Sequence, residues 1–84
     1  MNQARAVSKP RFWKHQAVAI MRWRPHGREI VTLTKVNHVG PRLIETTDHR
    51  WYFTSTCESL DGDDTYIEPA TFEHLAAVWW NRSV

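Results

Sequence analysis

Three runs, Ile30 to Val36, Leu43 to Thr47 and Trp51 to Thr56, are rich in β-branched and aromatic residues. His38-Val39-Gly40-Pro41 and Asp48-His49 separate them. Runs of that length bounded by turn-forming residues predict three consecutive strands. In the first, Ile30, Thr32, Thr34 and Val36 point one way and Val31, Leu33 and Lys35 the other, so neither face is cleanly polar. A strand of that kind belongs at the centre of a sheet or wraps around a small barrel. Three short strands alone are only marginally stable in water, so flanking chain must cover them.

Phe12 to Arg24 fits two periods. As a strand, Ala17, Ala19, Met21 and Trp23 share one side; as a helix, Trp13, Ala17 and Ile20 share a stripe. Pro25-His26-Gly27 favours a strand over Ala17 to Arg24. Proline is preset for the second position of a tight turn and glycine suits its fourth. After Cys57 the chain turns acidic. Asp61-Gly62 reads as a turn and Tyr66-Ile67 as a short last strand, which Pro69 closes.

A helix is predicted over 70–81, with Thr71 as its N-cap and Glu73 in the first turn, where the helix dipole favours negative charge. Phe72, Leu75, Ala76 and Trp79 recur at helical spacing, and this stripe is expected to pack on the strands. Trp80 points about 100° from Trp79. Together with Val78 it falls toward the edge of the stripe, where a second copy or another protein could cover it. The expectation is a small, mainly β barrel of about five antiparallel strands with one C-terminal α-helix. Residues 1–10 read as a flexible arm and 11–84 as a single domain.

Eighty-four residues bury only about 60–65% of the extended chain's surface on folding. Five Trp, three Phe and two Tyr are expected to make up the deficit inside the core. Charge is unevenly distributed. Seven Lys or Arg and no acid precede Glu29, whereas four basic and nine acidic residues lie from Glu29 onward. Basic and aromatic residues interleave in the first part. Arg11, Trp13, Lys14, Arg22, Arg24 and Arg28 are therefore candidates for a sequence-tolerant contact with DNA or RNA, arginines on phosphates and Trp13 on an unpaired base. The competing expectation is that this third docks on the chain's own acidic turn, Asp61-Gly62-Asp63-Asp64.

Candidate chemistry adds little. Cys57 is alone, and His15, His26, His38, His49 and His74 share no zinc-ligand spacing. A Cys57 dyad with His49 or His74 is open on sequence, but a lone cysteine more often serves as a small buried hydrophobe. The Asp61 to Asp64 turn puts glycine second where a calcium loop wants it sixth. There is no glycine-rich phosphate loop, no G-x-S-x-G and no H-E-x-x-H. These readings point to no catalytic residue, metal or cofactor. With no signal-peptide pattern, and no apolar run longer than the six residues Leu75 to Trp80, a soluble cytoplasmic protein with no membrane partner is expected.

The runs V-T-L-T-K-V at Val31 to Val36, R-L-I-E-T-T at Arg42 to Thr47, W-Y-F at Trp51 to Phe53 and Y-I-E-P-A-T-F-E-H-L at Tyr66 to Leu75 resemble short proteins of phages and other mobile elements. The resemblance covers about Trp23 to Val78. It implies a small SH3-like barrel and a mobile-element origin, and it transfers no site residue. Type II dihydrofolate reductases are enzymes of similar fold and length that read substrate through a V-Q-x-Y strand, a tetrapeptide lacking here. The functional expectation is a non-catalytic interaction or adaptor module that binds another protein or itself, as a homo-oligomer. The alternative is the nucleic-acid-binding role of the basic third.

Overall fold

The computed structural model describes residues 12–83, with side chains described as far as Trp79. The expected arm, Arg11 and the side chain of Trp80 lie outside the described residues. Five strands follow in order: β1 (Ala17–Arg24), β2 (Gly27–Val39), β3 (Leu43–Thr46), β4 (Trp51–Phe53) and β5 (Thr65–Pro69). Helix α1 (Phe72–Ser83) completes the chain. All pairings are antiparallel and the spatial order is β4-β3-β2-β1-β5, curled into a half-barrel.

Strand β1 settles the ambiguity of residues 12–24. Val18 and Ile20 enter the interior, while Ala19 and Met21 are buried on the opposite side of the sheet. That opposite side also carries Glu68, the pairing partner of Ala19, and α1 lies there alongside β2. Four consecutive buried residues give no alternation to read, because both faces of the strand are covered. The hairpin from β1 to β2 turns through Pro25-His26, with Arg24 paired to Gly27. Gly27 takes φ +140°, a conformation that glycine adopts most readily.

Strand β2 is 13 residues long and serves two neighbours, pairing with β1 up to Lys35 and with β3 from Val36. Register shifts opposite Ile20/Met21 and between Val36 and His38 bend it around the barrel, as extra residues in one strand of a pair do. The β3–β4 connection is a four-residue loop, Thr47 to Arg50, longer than the two-residue turn expected at Asp48-His49. Thr46 closes it through a short bond from its hydroxyl to Asp48 and a backbone bond to Arg50 at 2.9 Å. His49 adopts φ +65°.

The sheet is closed by chain that carries no strand pattern. Residues 57–60 lie between β4 and β5 and bond to both. Phe53 N donates to Glu58 O and Leu60 N to Trp51 O, at 2.8 and 2.9 Å. Ser59 N donates to Thr65 O and Ile67 N to Cys57 O, both at 2.9 Å. Four backbone bonds make this strap the missing stave of the barrel.

The interior is mostly aliphatic: Val18, Ile20, Val36, Ile44 and Ile67, joined by Phe12 and Tyr52. The expectation that the aromatics would fill it is corrected. Trp13 and Trp23 are 58% and 59% exposed, and Trp51 and Phe53 also face out. Strand parity dictates the last two, because Tyr52 between them points inward. Burial pushes the Tyr52 phenol above its ordinary value of 10.0. Folding therefore favours the neutral phenol. Stability is expected to be unaffected by Tyr52 below about pH 10 and to fall above it, where the unfolded chain ionises first. Alkaline denaturation of wild type beside Tyr52→Phe should show a smaller loss in the variant.

Candidate interaction surfaces

Helix α1 is held to the barrel by a chain of polar contacts that starts at its cap. Thr71 Oγ1 accepts the His74 backbone N–H at 3.3 Å, and His74 Nδ1 accepts the Thr71 N–H at 2.9 Å. This is a reciprocal capping box with histidine in the place usually taken by Glu or Gln. With Nδ1 accepting, the ring proton sits on Nε2, which points at Glu68 Oε2 2.6 Å away. The other oxygen of Glu68 takes Arg28 Nη1 at 2.8 Å, and the same guanidinium reaches the Tyr66 hydroxyl at 3.1 Å. Tyr66 in turn stacks on Trp23, with ring centroids 5.2 Å apart. The tyrosine and carboxylate contacts hold the Arg28 pKa above its ordinary value. Sequence reading passed over His74 and Glu68 as a unit. The signal that could have found them is Thr71-Phe72-Glu73-His74, a hydrogen-bonding side chain three residues after a threonine N-cap.

This anchor fixes which side of α1 meets the barrel, and it is not the expected one. His74 and Val78 lie on the half-buried side. Phe72, Leu75 and Trp79 are 82%, 52% and 71% exposed, and with Ala76 they line a shallow apolar groove. The stripe predicted to pack on the strands faces outward instead. The geometric reason is the pairing of Glu68 with Ala19 on the outer face of the sheet, which pulls the His74 side of the helix inward. Val78, a candidate interface residue, is thus half-buried on the barrel side, while Leu75 and Trp79 take the outward place.

The basic candidates among the described residues fall into two separate groups, with Arg22, Arg24 and Arg28 together at the turn end of the β1–β2 hairpin. Trp13 and Lys14 sit in the turn before β1, pinned to the far end of β2 by His15 N to Val36 O at 2.8 Å. Arg22 and Arg24 lie toward the other end of β1, about 16 and 23 Å from its first residue at the usual rise per strand residue. Arg24 is bound to Glu29 at 3.0 Å and Arg28 to Glu68, so two of the candidate phosphate ligands already hold carboxylates. Their partners are not the acidic turn. Asp63 there turns back on Thr65, whose N–H and hydroxyl hold its carboxyl below the usual range.

Among the described residues, no three His, Cys, Asp or Glu side chains come together in a way that could hold a metal ion. His74 has both ring nitrogens engaged, at Thr71 and Glu68. No helix among the described residues is long and apolar enough to cross a membrane. Comparison of the chain with known protein families, with curated proteins and with solved structures gave no match.

Proposed function

We propose that this chain is a non-catalytic protein-interaction module whose docking element is the outward stripe of α1. The observation that carries the reading is the exposure of Phe72, Leu75 and Trp79 at positions i, i+3 and i+7 of one helix. That spacing is the one by which a helix presents anchors to an apolar groove. An exposed apolar patch of this kind on a small domain marks a contact site.

Area decides between partners. With aromatic side chains offering about 150–250 Å² each, the three exposed residues present roughly 400 Å². Two such stripes face to face would bury about 800 Å² in all, short of the ~1,200 Å² at which stable pairs begin. A partner with a groove that closes around the helix buries its flanks as well. The reading is therefore a different protein with an apolar groove, in preference to a tight self-pair. The mobile-element origin implied by the sequence resemblance belongs to the same proposal.

Phe72→Ser combined with Trp79→Ser is expected to leave the unfolding free energy within about 1 kcal/mol of wild type, because both sites are exposed. A stripe buried against its own barrel would cost several kcal/mol. Thermal melts separate the two. For the partner, a photoreactive phenylalanine analogue at position 75 is expected to give one discrete crosslinked product in the producing cell. The same analogue at position 42 should give none, and equal products from both positions would refute the docking element.

The nucleic-acid reading keeps one favourable observation, the exposed rings of Trp13 and Trp23 beside basic residues. Anisotropy of a labelled single strand at two salt concentrations tests it. Binding that falls steeply with salt and is lost in Arg22→Ala with Arg24→Ala would support it.

A further inference from the structure

Where the strap meets β5 there is a cleft of about 180 Å³ that shares no residue with the outward stripe of α1 and differs from it in chemistry. Trp23 and Tyr66 are its aromatic residues, Glu58 and Asp64 its acidic ones, and Ser59, Gly62 and Thr65 complete the lining. We infer that this cleft is a binding site for the cationic head of an arginine or lysine side chain on a partner peptide.

Charge comes first. Two of the lining residues are acidic and none is basic. Asp63, next in sequence to Asp64, is held ionised by Thr65, which deepens the negative potential. Of the neighbouring guanidinium groups, Arg28 at the Tyr66 hydroxyl is matched by Glu68 and Arg24 by Glu29, while Arg22, in register with Thr65, alternates to the face of β1 opposite Trp23. An anion is repelled here and a cation attracted.

The second property is the aromatic wall. Trp23 has Tyr66 against its ring and remains 59% exposed. An indole presents the strongest ring face for a cation, and attraction grows as the cation loses water in a partly enclosed site. Size agrees. Sites for drug-sized ligands run to about 300–1,000 Å³, so this cleft suits the end of one side chain.

The walls are also fixed before any ligand arrives. Glu58 is bridged to Tyr66 across the strap, and Ser59 N donates to Thr65 O at 2.9 Å. Trp23 N donates to Asp64 O at 3.4 Å, tying the acidic turn to β1. Gly62 and Asp64 take φ +70° and +66°, which turns the loop back over the strap. A site whose walls are held by backbone bonds loses little entropy on binding.

The test is a titration of the full chain followed through the indole N–H resonance of Trp23, assigned with Trp23→Phe. The probes are acetylated tripeptide amides Gly-Arg-Gly and Gly-Lys-Gly, and the same peptide with citrulline, the neutral isostere of arginine. A saturable shift of the Trp23 signal is expected with the arginine or lysine peptide, at millimolar affinity, and weaker binding at high salt. The citrulline peptide should bind at least tenfold more weakly. Glu58→Gln with Asp64→Asn should weaken the cationic peptides about tenfold while leaving the remaining spectrum in place, which also verifies folding. Equal binding of citrulline, binding of a neutral disaccharide in preference to the peptides, or no shift with either cationic peptide would overturn the assignment.

Discussion

Shortening Ile20 to alanine is expected to lower the unfolding free energy by about 2–5 kcal/mol, the range for emptying a buried aliphatic site. Ile20 is fully buried in the middle of β1, paired with Thr32 on one side and Ile67 on the other. It belongs to the cluster formed by Val18, Val36, Ile44 and Ile67. Phe12 and Tyr52 are the rings of that cluster, and each is already packed among its aliphatic members. A domain of 84 residues has a total stability of about 4–13 kcal/mol at the usual value per residue. The change would therefore consume a large share of it and lower the melting temperature by more than about 10 °C. Thermal and urea denaturation measure this directly. A shift of a degree or two would mean that the core is not where the strand parity puts it.

Glu68→Ala is expected to have the second largest effect, and a different one. The carboxylate holds two groups at once, the guanidinium of Arg28 and the imidazole of His74. Its removal leaves the His74 N–H without its acceptor on the half-buried side of α1, and such bonds to a charged partner are worth about 1.5–3 kcal/mol when lost from a sheltered place. Glu68 is about a quarter exposed, so solvent reduces that figure to about 1–2 kcal/mol. The consequence for the helix is larger than for the barrel. Alone, 12 residues are too few for a stable helix in water. Hydrogen exchange should show α1 amides losing protection by tenfold or more, with those of β1 and β5 nearly unchanged. Uniform loss across the chain would show that the contact supports the whole fold and not the docking of one element. Glu68→Gln, which can still accept from His74, should recover part of the protection.

The contrast between these two variants marks where the sequence was readable. The three strands and the helix were legible as elements, because each carries a period that survives tertiary packing, but not in their bounds: the strand expected over Trp51 to Thr56 ends at Phe53 and the helix expected over 70–81 runs Phe72–Ser83. The turn at Pro25-His26-Gly27 was legible for its steric preferences alone. The strap at 57–60 was not. It pairs on both sides for so few residues that no alternation can develop, and its Cys-Glu-Ser-Leu sequence resembles ordinary turn chain.

The helix shows a different gap. Periodicity said that Phe72, Leu75, Ala76 and Trp79 share a side, and they do. It could not say which side the barrel takes, since that was decided by a polar pair, Glu68 with His74, that an apolar pattern does not register. Likewise, counting aromatics gave an amount of ring surface but not its direction, which strand parity settled at Trp51, Tyr52 and Phe53. The cleft depends on residues from β1, β5 and the strap, so no local pattern could reveal it.

The strap has one more consequence. β4 and β5 would otherwise each present a row of open amides and carbonyls, the template on which sheets from separate molecules extend into one another. Residues 57–60 occupy both rows, so the half-barrel can display tryptophans and an oily helix without growing into ribbons. Its sociable surfaces are made of side chains, and those choose their company by shape.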